Sequence, residues 1–321
     1  MCRWHAFMII PTYEQAKQYE KDYTYIPVCR EILADDVTPI LMLRKLAALD
    51  GQYFLLESVE GGNLGRYSFL GYHPKLSVSC KNGVVKVKEN GMVRILPGKP
   101  KEALQSLLEQ YRSPQIEGLP TFTGGLVGYF AYETIQYAEP KLHIKQSDVN
   151  DFELMMFDKL LAFDQVMHKL CIIVNARTAD GEAGYNKAVE EIDAFIETLR
   201  ITEPIPYEKP QKALEFTCNL SKEEYCSMVE KTKHYIKEGD IFQGVISRRF
   251  EADYEGSLLN AYRVLRTTNP SPYMYYFNFE QFEIIGSSPE MLVKQKDNKV
   301  LTCPIAGTRP RGKDEEEEFD G

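Results

Sequence analysis

The sequence predicts an α+β fold built on antiparallel sheets, and three observations carry that expectation. Two Asn-Gly pairs, Asn82-Gly83 and Asn90-Gly91, flank the run "VVKVKE". Asn-Gly is a strong hairpin signal, because both central residues of a tight type I′ turn need positive φ. Segments rich in aromatic and β-branched residues recur at "QYFLLESV", "GRYSFLGY", "YMYYFNF" and "FEIIGSS". Most of these segments are joined by hairpin-length connections and not by repeated β-α-β crossovers, which favours antiparallel pairing over a doubly wound sheet.

The elements follow in order. Residues 52 to 96 read as β. "KEALQSLLEQYR", residues 101 to 112, sets Ala103, Leu104, Leu107, Leu108 and Tyr111 on one helical face. "FTGGLVGYFAYE" is rich in glycine, which permits close backbone approach. Residues 152 to 175 predict two strands. Residues 182 to 199 predict a helix with Ala188, Ile192, Phe195 and Leu199 in a stripe. "ITEPIPYEKPQ" carries three prolines among charged residues and reads as a linker. The expected organisation is an N-terminal region over 20–200, a linker over 201–215 and a second domain over 216–321. Ser221 and Glu224 form a capping box ahead of a helix that ends at Gly239. "DIFQGVISRRF" is expected as a strand, with Gln243 on the same side as Ile241, Val245 and Ser247. A helix around Leu258 to Arg266 follows, then "YMYYFNF" and "FEIIGSS", then a hairpin turning near Asp297-Asn298.

Composition narrows the function. A chain of 321 residues can bury a large core, and domains commonly split beyond about 250–300 residues. Its net charge of −9 argues against a general nucleic-acid role, so an anionic small substrate needs local positive charge or a metal ion. No apolar run reaches the roughly 20 residues of a membrane span. The first residues, "MCRWHAFMIIPTYEQAKQ", lack the small-residue cleavage site of a signal peptide, and Met8 is an alternative initiator. Seven dispersed cysteines with no C-x-x-C pair fit a reducing cytoplasm. The five histidines are isolated, without metal-ligand spacing. No dinucleotide fingerprint, P-loop or nucleophile elbow is present.

Four segments carry candidate chemistry. In "TCPIAGTRPRG", residues 302 to 312, Gly307 lets its backbone N–H approach a ligand and Thr308 adds a hydroxyl. Arg309 and Arg311 there are suited to carboxylate or phosphate. In "GSSPEML", Glu290 follows a turn, where a carboxyl group partly withdrawn from water serves as a general acid. "LLESVEGG" ends an apolar strand with Glu57 and Ser58, and "NPSPYMYY" joins a proline turn to Tyr273 and Met274; together they suit a small pocket. Taken singly, each segment is more simply an ordinary turn, loop or core strand. Gln243 alone favours neither a core role nor a substrate contact.

As an ordered set, "LLESVEGG", "GRYSFLG", "GGLVGYFAYE", "GDIFQGVISRRF", "NPSPYMYY", "GSSPE" and "PIAGTRPRG" change the balance. The chain closely resembles the large synthase component of anthranilate synthase from about residue 20 to its end. The resemblance implies two antiparallel β-sheets packed together and flanked by helices, with an N-terminal regulatory region against a chorismate-binding domain. It implies conversion of chorismate, with glutamine-derived ammonia from a glutamine amidotransferase subunit (component II), into anthranilate and pyruvate, with Mg2+ as cofactor. This is the first committed step of tryptophan biosynthesis.

Carried onto this sequence, the resemblance makes Gly307 and Thr308 chorismate-binding and makes Glu290 and Gln243 catalytic, with Glu290 protonating the departing ring hydroxyl. Ser58, Pro272, Tyr273 and Met274 become the feedback site for L-tryptophan. Gln243 stands where water-adding relatives carry a lysine, and Ala306 where aminodeoxychorismate synthases commonly carry one; Met274 also points to the tryptophan-regulated branch. Gly244, Ile246 and Arg248 depart from the commoner pattern. The resemblance also implies a C-terminal truncation that leaves the magnesium ligands outside this chain and the fragment inactive alone. The remaining alternatives are aminodeoxychorismate synthase component I and a non-catalytic tryptophan-binding fragment.

Overall fold

Both Asn-Gly pairs turn as their chemistry requires: φ is 51° and 78° at Asn82 and Gly83, and 50° and 77° at Asn90 and Gly91. The computed structural model describes residues 8–58, 65–145, 147–208, 213–296 and 298–305. The chain begins with β1 (Ile9–Ile10), α1 (Tyr13–Lys17), β2 (Tyr25–Leu33), α2 (Pro39–Leu49), β3 (Gln52–Glu57) and β4 (Tyr67–Tyr72). The hairpins then give β5 (Leu76–Lys81), β6 (Val84–Glu89) and β7 (Met92–Ile95), followed by α3 (Pro100–Glu109). Next come β8 (Gly125–Phe130), β9 (Phe152–Phe157), β10 (Lys159–Asp164), β11 (Lys169–Arg177) and α4 (Gly181–Ile201). The rest comprises β12 (Thr217–Cys218), α5 (Lys222–Glu238), β13 (Phe250–Glu251), α6 (Leu259–Thr268), β14 (Tyr273–Phe279), β15 (Glu283–Ser288), β16 (Lys294–Lys296) and β17 (Lys299–Leu301).

Most strands form an eight-stranded sheet, ordered β1-β2-β11-β10-β4-β3-β14-β15, and a five-stranded sheet, ordered β7-β6-β5-β9-β8, while β12-β13 and β16-β17 pair as separate two-stranded sheets. Pairing is antiparallel in both, so the fold is α+β with two main antiparallel sheets and helices. By contacts the chain divides into two units. Tyr207–Asn260 make one; the residues up to Pro206, together with those from Ala261 onward, make the other.

Within the larger unit the two sheets share a core. Cys29, Phe54, Ala162, Cys171 and Phe277 of the larger sheet meet Val127, Met155 and Phe157 of the smaller. Side chains alternate across a strand, so the neighbours of these residues face the other way, towards helices. Arg30 on β2 forms an ion pair with Asp193 on α4, and the Lys45 ammonium on α2 donates to the Leu199 carbonyl at 2.6 Å. The smaller sheet turns Val78, Val85, Val87 and Leu154 against Ala103 and Leu107 of α3. Leu108, expected on that face, is exposed.

Gly128 shows why the glycine-rich strand is glycine-rich. A Cβ there would sit 2.1 Å from the Glu153 carbonyl oxygen and 2.9 Å from the Leu154 Cα, both on the neighbouring strand. Backbone cannot swing aside. Gly128→Ala is therefore expected to destabilise the protein by about 1–3 kcal/mol, read as a lowered urea midpoint; an unchanged midpoint would show that β8 and β9 separate without cost.

Two expectations need correction. Residues 152 to 177 form three strands, not two. The chain crosses from the smaller sheet to the larger at Asp158, between β9 and β10, so no turn residues mark the break. The strand expected over 240–250 is largely absent: only Phe250–Glu251 pair, with Thr217–Cys218. A strand needs a ladder for its backbone groups, and among the described residues none faces the stretch before Phe250. Gln243 is exposed there, not on an apolar strand face.

Candidate functional site

The site is built where β3 ends and β14 begins. Their ladder pairs Leu55 with Tyr276 and ends by pairing Glu57 with Met274. Ser58, one residue past β3, therefore follows beside Tyr273, and Pro272 leads into the same strand. The register thus gathers Ser58, Pro272, Tyr273 and Met274 at one seam. Met274 is buried, while Pro272 and Tyr273 are half-buried.

Glu57 anchors this seam. Its side chain is 1% exposed. The Tyr262 hydroxyl donates to Glu57 Oε1 at 2.6 Å, and Arg266 Nη2 donates to Oε2 at 2.8 Å. Arg266 Nε lies 2.7 Å from Oε1, completing a close ion pair. Tyr262 and Arg266 stand four residues apart on α6 and so share a helix face. Burial and the Glu57 carboxylate push the Tyr262 phenol well above its ordinary pKa, so it stays a donor. Its ring packs edge-on against Tyr276 at 5.6 Å.

One residue past this cluster, on the next position of the chain, is an atom without a partner. Ser58 Oγ is buried and has no hydrogen-bond partner among the described residues. Such an orphan costs about 1–3 kcal/mol, and buried polar groups are otherwise almost always paired. The position suits a polar ligand atom.

The proline turn is tied to the next candidate. Ser287 Oγ donates to the Asn269 carbonyl at 2.7 Å, and Ser271 Oγ donates to the Ser288 carbonyl. Glu290 follows two residues after β15 and is exposed. Its Oε1 accepts the Ile305 N–H at 3.1 Å, which holds the carboxylate against the segment that precedes Gly307 and Thr308 in the sequence. Gly307 and Thr308, with Ala306, Arg309 and Arg311, lie outside the described residues. Gln243 belongs to the smaller unit.

Arg66, in the "GRYSFLG" stretch, has a structural partner. Its Nε and Nη2 donate to Asp164 Oδ2 at 3.0 and 2.7 Å. Burial acts to raise the Asp164 pKa, but Arg66 and the N–H groups of Met167 and Val166 outweigh it and hold the carboxyl below its ordinary value. The pair fixes the start of β4.

A cavity of about 620 Å³ opens between the two sheets and is lined by residues such as Leu56, Phe69, Val127, Tyr129, Tyr275 and Ile284. Burial, with Glu153 nearby, pushes the Tyr129 phenol up to about 12. The lining carries two phenols and no cation, a poor match for a multiply charged anion. The polar seam is the better candidate. Among the described residues no three or more His, Cys, Asp or Glu side chains gather as a metal site. The sequence reading missed Tyr262 and Arg266, which lie 205 and 209 residues from Glu57; their only local signal is their i, i+4 spacing.

Comparison with known proteins defines the class. The family model for chorismate binding enzymes matches residues 52–320, and the chain belongs to that family. Within it, the chain is 40% identical to anthranilate synthase component 1 of Acetivibrio thermocellus, over 97% of this chain and 65% of that protein. It is 35% identical to anthranilate synthase component 1 of Aquifex aeolicus, over 95% of this chain and 63% of the relative. Its fold resembles the crystal structure of anthranilate synthase component I from Streptococcus pneumoniae, with a TM-score of 0.63 and 29% identity, covering 84% of this chain and 59% of that one. The chain thus spans less than two thirds of these relatives' length.

Proposed function

We propose that the protein is the chorismate-converting component of a tryptophan-regulated anthranilate synthase. Chorismate and ammonia yield anthranilate, pyruvate and water, with ammonia drawn from glutamine by a component II amidotransferase and with Mg2+ as cofactor. Two kinds of support converge. The relatives named anthranilate synthase component 1 match across nearly the whole chain. The observation that carries the regulated reading is the seam, where a buried Ser58 hydroxyl, without a hydrogen-bond partner among the described residues, follows the Glu57–Met274 pair and stands beside Tyr273.

In this reading Gly307 and Thr308 hold a chorismate carboxylate through a backbone N–H and a hydroxyl. Glu290 gives its proton to the departing ring hydroxyl as nitrogen adds. Gln243 and Ala306, neither of them a base, favour amination over water addition and over the aminodeoxychorismate route. The described residues form no ligand set for Mg2+, so no step is assigned to it. Residues 20–200 serve as the regulatory region, joined by a linker at 201–215 to a chorismate-binding region over 216–321. The proposed setting is the cytoplasm, consistent with six free cysteines among the described residues.

The test is the complete gene product with chorismate, ammonium and Mg2+. Anthranilate fluorescence is the expected result; chorismate loss without anthranilate would assign another chemistry. Ser58→Phe fills the seam, so it is expected to remove inhibition by tryptophan while turnover continues. Inhibition at the wild-type tryptophan concentration would take Ser58 out of the site.

A further inference from the structure

The β3–β14 ladder makes its last pair at Glu57 and Met274. Beyond it the ladder gives Ser58 no pair, so its direction depends on how firmly Glu57 is held. Two hydrogen bonds and one close ion-pair contact hold the Glu57 carboxylate, and among the described residues all come from two side chains on α6. A buried ion pair adds little net stability compared with apolar residues of the same volume; its directional bonds give it another use. Pre-organised sites depend on supporting side chains that fix the contacting groups within a fraction of an ångström.

We propose that Tyr262 and Arg266 are positioning residues for the tryptophan site: by gripping Glu57 from α6 they aim the Ser58 hydroxyl at the ligand. This inference rests on the reading of Ser58, Pro272, Tyr273 and Met274 as that site. It makes α6 part of the sensor, although neither side chain touches the ligand.

The test is calorimetric titration of L-tryptophan into the complete gene product, with melting temperatures recorded without ligand. Tyr262→Phe keeps the ring and removes the donor, and is expected to weaken binding about tenfold with little change in melting temperature. Arg266→Met should weaken it similarly, and Arg266→Lys, which keeps the charge, should recover much of the loss. A merely structural role would lower melting temperatures and leave affinity below the transition unchanged. If Ser58→Phe abolishes binding while Tyr262→Phe binds like the wild type, the positioning role is overturned and the site stands. If the wild-type chain does not bind, or Ser58→Phe binds equally well, the site itself is misassigned and the positioning role falls with it. Should Arg266→Met fail to fold, Tyr262→Phe decides the matter alone.

Discussion

Glu57→Leu is expected to lower the unfolding free energy by about 3 kcal/mol, because removing one partner of a buried pair strands the other. The lower end of the usual range applies, since Arg266 is 27% exposed and can turn partly to solvent. Tyr262, fully buried, has no such escape. The measurement is the urea midpoint followed by circular dichroism. The triple change Glu57→Leu, Tyr262→Phe, Arg266→Met should regain much of the loss, because nothing polar is then left unpaired. Equal midpoints for wild type and Glu57→Leu would mean that the cluster contributes nothing to the fold.

Glu290→Gln carries the largest expected effect on turnover. In the complete gene product it should reduce anthranilate formation by about 10²–10⁴-fold, the usual contribution of a positioned general acid. The amide keeps the size of the side chain and can still accept the Ile305 N–H, so chorismate binding should be largely preserved. Loss of binding and turnover together would make Glu290 a substrate contact. Near-normal turnover would remove it from the chemistry.

Much of the fold was legible because its signals are local. The Asn-Gly turns define β5 to β7 without reference to the rest of the chain. The capping box at Ser221 and Glu224 opens α5, and Gly239 closes it at φ 83°. The stripe of Ala188, Ile192, Phe195 and Leu199 is buried on α4. What was missed depends on distant partners. β2 carries Pro27 inside a nine-residue strand, and an internal proline argues against a strand. The sheet change at Asp158 has no turn chemistry. The stretch around Gln243 has strand composition but, before Phe250, no described ladder.

The candidate site divides along the same line. Ser58, Pro272, Tyr273 and Met274 could be named from short motifs, and their shared seam follows from pairing Glu57 with Met274. The Glu57–Tyr262–Arg266 cluster could not be named, because no local pattern links residues about 200 positions apart. The glycine-rich stretch lies between these cases. Close backbone approach was readable from its composition, but only the sheet identifies Gly128 as the position that cannot carry a Cβ.

The most direct measurement is a crystal structure of the protein grown with L-tryptophan. The expected result is ligand density within hydrogen-bond distance of Ser58 Oγ, with Pro272, Tyr273 and Met274 against the indole. Ligand seated instead in the apolar cleft between the sheets, or an empty seam at saturating tryptophan, would contradict it.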